Sequence, residues 1–251
     1  MSTYNIHAGH SLVCRGANSI LDEVTEDRKV KNAVVELLRA AGHTVYDCTD
    51  DNGKTSNENL IAIVAKCNAH AVDLDVSIHL NAGRNDTAGD GKTGGVEVWG
   101  YNDGTKDAGT RICVEIAAAL GITNRGFKTN QGYYVLKHTK AQAIIIECAF
   151  VDDKDDADRW NVEKCAQAIV KGITGSVVTA FTQTANQQVS YYPRYMGDSV
   201  SIVDALQAVS VDSSFANRDK IAKHNGISNY SGTVAQNTKL LSLLKQGKLI
   251  K

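Results

Sequence analysis

Apolar positions switch between short runs and helical spacing over roughly the first 175 residues, the pattern expected of a sheet with helices packed on it. Tyr4 to Ala8 reads as a first strand ending at Gly9. A long helical pattern runs from about Thr25 to Ala41, with Val30, Val34, Leu37 and Leu38 on one face and Gly42 as its stop. "HTVYDCT" resumes strand character, and Ser56 precedes a second amphipathic stretch, Leu60 to Ala69. "AVDLDVSIHLNA" has the period-two alternation and β-branched content of a buried strand. "GGVEVWGY" is another strand, entered through glycines, and Lys106 to Leu120 is a helix aligned on Ile112, Ile116 and Leu120. The run "AIIIECAF", 143 to 150, is the most apolar strand and belongs centrally in the sheet. A last helix, about Asp155 to Ile173, closes this domain.

Beyond it, "SVVTAFTQTANQQVS" has linker composition. The remaining stretch, from "YYPRY" to the end, holds the only proline and several short helical patterns. The expected architecture is α/β. A mixed or mostly parallel central sheet flanked by helices occupies 1–175, a linker 176–192, and a second, small, mainly helical module 193–251. Charge divides at the same place: from residue 190 onward eight Lys/Arg face four Asp/Glu, against 19 and 24 before it. A basic small module tethered to an acidic larger one suggests chemistry in front and attachment behind.

Composition narrows the class. With 251 residues and 43% hydrophobic content the chain can bury a full core. A net charge of −1 gives no reason to expect nucleic acid as the main partner. No stretch approaches the ~18 apolar residues of a membrane span, and "MSTYNIHAGH" lacks the basic start and apolar core of a secretory signal. The expectation is a protein made in the cytoplasm, with no membrane partner. Six cysteines without CxxC spacing read as reduced core thiols.

Three polar residues end or interrupt apolar strands: His10 past the first strand, His79 near the end of "DVSIHLNA", and Glu147 inside "IIIECAF". In an open α/β sheet, sites assemble at the carboxyl ends of the strands. A carboxylate within an apolar strand is the sharpest anomaly, because an unpaired buried charge costs several kcal/mol. The bland reading is a glutamate paired with an arginine or a buried amide; two nearby histidines shift the balance toward a metal. A catalytic zinc needs about three N or O ligands and an open position. His10 and His79 supply two, and "LDEVTED" offers Asp22, Glu23, Glu26 and Asp27 for the third, although acids at a helix start also complement its dipole without further function. His7 faces the core or a helix, whereas His43, His70, His138 and His224 sit beside helix ends or in polar loops. No GxSxG elbow, GxxxxGK[ST] loop or HEXXH motif is present.

"IHAGHS", the acidic residue before the first helix, "DVSIHLNA", "GGVEVW", "NRGFKT" and "YYVLKHTKAQAIIIECAFVDDKDD" occur in that order. Together they resemble the zinc-dependent N-acetylmuramoyl-L-alanine amidases of the type-3 family over residues 3–173. "GANSILDEVTEDRKV" is similar to phage endolysins of Gram-positive, including clostridial, hosts. The resemblance implies Zn2+ held by His10, Glu23 and His79, with Glu26 as the alternative if the helix start is shifted, and Glu147 as the catalytic glutamate. It also implies cleavage of the amide between N-acetylmuramic acid and L-alanine in peptidoglycan, during host lysis. Asn81 and Arg125 are candidates for contacting and orienting substrate. One departure is "GHSL", where many members have GHGG.

The segment from "YYPRY" to "LLSLLKQGKLIK" resembles the small modules that follow the catalytic domain in lysins of Bacillus, Listeria and clostridial phages. That implies attachment to a cell-wall polymer, with dimerisation as the competing role. Met196, the only internal methionine, would let an internal start yield the module alone. Such an enzyme would wait in the host cytoplasm until released to the wall. A host autolysin and a non-catalytic peptidoglycan-binding protein with a structural metal are the alternatives.

Overall fold

A computed structural model describes residues 1–176, 191–227 and 230–251, so most of the expected linker, and Ser228 and Asn229, lie outside the described residues. Contacts divide the chain into two compact units, Met1–Phe181 and Thr182–Lys251. The first runs β1 (Thr3–Ala8), α1 (Glu23–Ala40), β2 (Thr44–Asp47), α2 (Ser56–Cys67), β3 (Leu74–Asn81) and β4 (Val96–Gly100). It continues with α3 (Lys106–Leu120), β5 (Asn124–Thr129), α4 (Tyr134–His138), β6 (Ala143–Phe150), α5 (Lys154–Ala157) and α6 (Val162–Thr174).

The six strands form one sheet in the order β2-β1-β3-β6-β4-β5. All pairs are parallel except β4 with β6. The sheet is therefore mixed, and β6 lies inside it, as its apolar run requires. β1, β3, β4 and β6 each show two unlike faces. Ile6, Val76, Val98 and Ile146 point into the main core, where α1, α3 and α6 deliver Val34, Ile112 and Ile169. Each fully buried side chain of this kind contributes ~1.5–3 kcal/mol. The opposite face carries Asn5, His7, Ser77, His79, Glu97 and Glu147, partly covered by α2 and α4 through Ile63, Val64 and Val135.

Local chemistry sets the element ends. Asp22 caps α1 by accepting from the Thr25 N–H at 2.8 Å, and Gly121, in the left-handed region at φ +71°, ends α3. The helix expected over 155–173 is two helices. Asn161 accepts from the Lys164 N–H at 2.8 Å, starting α6 afresh, while Trp160 turns aside to donate to Glu26 at 2.9 Å. "NRGFKT" forms an edge strand, β5, that its half-exposed, polar character concealed.

The second unit holds α7 (Ile202–Ala208), α8 (Phe215–His224) and α9 (Val234–Gln246). They enclose their own core of Ile202, Leu206, Ile221, Leu240, Leu244 and Leu249. Tyr192 N–H donates to Leu249 O at 2.8 Å, tying the unit's first described residues to its last. No helix among the described residues is long and apolar enough to cross a membrane.

Candidate metal centre and active site

The centre is built where β1 and β3 end and α1 begins. Gly9 follows β1, and a Cβ there would overlap the His79 ring, so glycine is what lets the two histidines approach. His10 itself is left-handed, at φ +54°, a conformation that costs a non-glycine residue about 1 kcal/mol or more unless its surroundings enforce it. They do so here. Arg28 Nη2 and Asn59 Nδ2 each donate to the His10 carbonyl at 3.1 Å. Arg28 also bonds Gly9 O at 3.1 Å and Asp51 at 2.7 Å.

Glu23, the first residue of α1, is buried at 3% exposure. Its Oε1 lies 3.2 Å from His10 Nε2 and 3.1 Å from His79 Nδ1. Its Oε2 accepts from Ala17 N–H at 2.8 Å. A Cβ on Gly16 would overlap both the Glu23 carboxylate and the His10 ring, so a second glycine keeps this corner open. Ligand atoms of His10, Glu23 and His79 lie within 4.8 Å of one another. Two imidazole nitrogens and one carboxylate oxygen are a donor set that suits zinc. Glu26 points elsewhere, bonded to Lys29 at 2.6 Å and to Trp160. Asp22 is occupied as the helix cap and by Arg15. Asp27 is buried against Arg28 at 3.1 Å.

Electrostatics concentrate here. Burial pushes the Glu23 carboxyl up, but hydrogen bonds from His10 and His79 outweigh it and hold it well below the usual range. Burial pulls His79 down, yet the Glu23 bond and the neighbouring carboxylates raise it to about 9. A cation bound by these nitrogens must therefore displace a proton. His7, fully buried, is driven down to about 3 by burial and by His79, which keeps it neutral. It sits outside the three-ligand cluster, 3.4 Å from Ser77 Oγ.

Glu147 stands directly opposite His79 on the neighbouring strand, one spacing of about 4.8 Å away. Its Oε2 is shielded from solvent and has no hydrogen-bond partner. Burial raises its pKa to about 7, reinforced by the charges of Glu23 and Glu97 against that of His79. A carboxyl poised near neutrality beside three metal-type donors is equipped to take and return a proton.

Asn81 and Arg125 both end on Glu97, which sequence reasoning did not single out. Asn81 Nδ2 donates to Glu97 Oε1 at 3.0 Å and Arg125 Nε to Oε2 at 2.6 Å. Glu97 is Cα partner to Glu147 across the antiparallel pair. Its signal was present in "GGVEVW", a carboxylate in an apolar strand just as in "IIIECAF". Gly16, Arg28 and Asn59 left no such mark, because their part depends on tertiary approach.

A family profile described as N-acetylmuramoyl-L-alanine amidase matches residues 5–179, a span that contains this whole centre. The chain belongs to the N-acetylmuramoyl-L-alanine amidase family. The chain is similar to a solved structure, the catalytic domain of CD27L endolysin targeting Clostridia Difficile, at 29% identity and a TM-score of 0.62, covering 70% of this chain and 98% of that one. Shorter matches of higher identity link the chain to two proteins of Listeria phages. The endolysin of phage A511 is 56% identical over 50 residues, 20% of this chain and 15% of that protein. The L-alanyl-D-glutamate peptidase of phage A118 is 55% identical over 51 residues, 20% and 18% of the two chains. The chain spans about half the length of the first curated relatives it matches.

Proposed function

We propose that this protein is a zinc-dependent amidase that cleaves the bond between N-acetylmuramic acid and L-alanine in peptidoglycan, acting as the endolysin of a phage of a Gram-positive, clostridial host. The observation that carries the reading is the meeting of His10, Glu23 and His79 with the orphaned carboxylate of Glu147 one strand away, in a chain of the amidase family. When bound, zinc supplies Lewis-acid polarisation of the scissile carbonyl and acidifies the attacking water. Glu147 Oε2 accepts the water proton and delivers it to the departing amine of L-alanine. Arg28 and Asn59 hold the His10 carbonyl and so fix the first ligand. The Gly9 and Gly16 positions keep the ligands close.

The second unit binds an anionic wall polymer in this reading, in line with its excess of Lys/Arg from residue 190 onward. The enzyme accumulates in the host cytoplasm and reaches the wall on release.

Digestion of purified clostridial peptidoglycan, with mass analysis of the products, tests the reading. Peptides with free N-terminal L-alanine are expected, and they are lost with Glu147→Ala and with a chelator. New reducing sugars or cleaved cross-links would mean a different bond, and no product from any wall would remove the enzyme reading.

A further inference from the structure

Glu97 holds more positive charge than it needs. Its side chain is 5% exposed, and four donors reach it: Asn81 Nδ2 at 3.0 Å and Trp99 Nε1 at 3.2 Å on Oε1, Arg125 Nε and Lys128 Nζ at 2.6 Å each on Oε2. A carboxylate has about four acceptor sites, so Glu97 is saturated. One cation would neutralise it. Two are present, each 34% exposed, and among the described residues neither has a second carboxylate within ion-pair distance.

The backbone arranges this pair deliberately. Residues three apart on a regular strand point to opposite faces. Between β4 and β5 the register shifts, Val96 pairing with Asn124 but Val98 with Phe127. The extra residue falls beside Gly126, at φ +80°, and the bulge turns Arg125 and Lys128 to the same side. Both cations are also seated on rings: Arg125 lies 5.0 Å from the Phe150 centroid and Lys128 5.1 Å from that of Trp99. Arg125 Nη2 and the remaining ammonium hydrogens of Lys128 have no hydrogen-bond partner among the described residues. They are fixed, partly exposed donors with a net charge of one, two strands from Glu147.

We propose that Arg125 and Lys128, positioned by Glu97 and the Gly126 bulge, form a subsite for a carboxylate on the substrate's peptide arm, the one borne by the residue after L-alanine. This rests on the amidase reading. One strand spacing separates Glu97 from Glu147, about 4.8 Å, and one extended residue advances the chain by about 3.5 Å. One residue of a peptide arm that runs from Glu147 toward β4 covers most of that spacing, so a carboxylate carried by the second residue comes within reach of the Arg125 and Lys128 side chains, which extend from β5 back to Glu97 at 2.6 Å. A carboxamide in place of the carboxylate keeps the shape but exchanges one acceptor oxygen for an N–H donor and forfeits the charge.

The test uses the zinc-loaded full chain and two soluble muramoyl peptides that differ only in carboxylate or carboxamide at the second residue. Their kcat/KM values are compared, and calorimetry of the corresponding free peptides reads binding alone. The wild type is expected to prefer the carboxylate at least tenfold, mostly through KM. Arg125→Gln and Lys128→Gln should reduce that preference below about threefold, with zinc content and circular dichroism showing that the centre and fold persist. Lys128→Glu should favour the carboxamide. A wild type indifferent to the substitution, or glutamine variants that keep the full preference, would overturn the subsite. Carboxylate-dependent binding that is lost in both glutamine variants, without turnover of either substrate, would sink the amidase reading and leave the subsite standing.

Discussion

An ionised carboxylate kept in an apolar strand opposes folding, and Glu147 bears that cost with its Oε2 unpartnered. The sign of its titration follows. Its folded pKa, about 7, stands above the 4.5 of the free group. Between those values the native state holds a proton that the unfolded chain has lost, so the group's stabilising contribution is full below pH 4.5 and gone as pH rises through 7. In chelator, Glu147→Gln should match wild type in acid and exceed it at pH 8 by ~3 kcal/mol, the free energy of a shift of that size. Thermal melts of both proteins from pH 4 to 8 read the difference, and a pH-independent gap would show that Glu147 titrates normally. The same variant should bind zinc yet lose turnover 10²- to 10⁴-fold, as expected when a general base is removed; zinc content and the initial rate of muramoyl-peptide cleavage measure the two. At this scale the sequence displayed His10, His79 and Glu147 because each breaks an apolar pattern. Glu23 was one of four neighbouring acids until the resemblance favoured it, since a helix start makes all four plausible. Arg28 and Asn59 were hidden, because a side chain that holds a distant carbonyl leaves no periodic signal.

Among the elements, α3 and α6 pack on the same face of the sheet, and their closeness rests on Gly172. A Cβ there would sit 2.6 Å from Ile112 Cα and Cγ1, with no flexible side-chain end to give way. Gly172→Ala should therefore destabilise the first unit by about 1–3 kcal/mol, the usual penalty of overpacking, although alanine is the better helix former. Urea unfolding measures it, and an increase in stability would show that the helices can separate freely. Most elements were readable from periodicity because their apolar faces are continuous: α3 and β6 fall where the pattern puts them. The misread stretches have identifiable causes. Asn161 caps a new helix inside an apparently continuous pattern. β5 is an edge strand whose polar residues serve Glu97 rather than the core. The antiparallel placing of β4 beside β6 leaves no local trace, since it depends on which edge the chain returns to.

The whole molecule comprises two units with separate cores, and only the first contains the candidate centre. Calorimetry of the zinc-loaded protein should therefore resolve two transitions, of which chelation lowers one. Binding at a hundredfold excess over Kd stabilises the native state by about 2.7 kcal/mol, so the displaced transition should move by several degrees while the other stays within error. A single transition that moves as a whole would mean that the units unfold together. The two-faced sheet has a further consequence, for how this chain tolerates variation. On β1, β3, β4 and β6 the even-numbered positions Ile6, Val76, Val98 and Ile146 lie in the main core, and the odd-numbered His7, His79, Glu97 and Glu147 lie on the other side. A saturation library over these strands would then sort by numerical parity: even sites should lose yield and heat resistance while surviving molecules keep their specific rate, and odd sites near the centre should yield well-folded but slow enzyme.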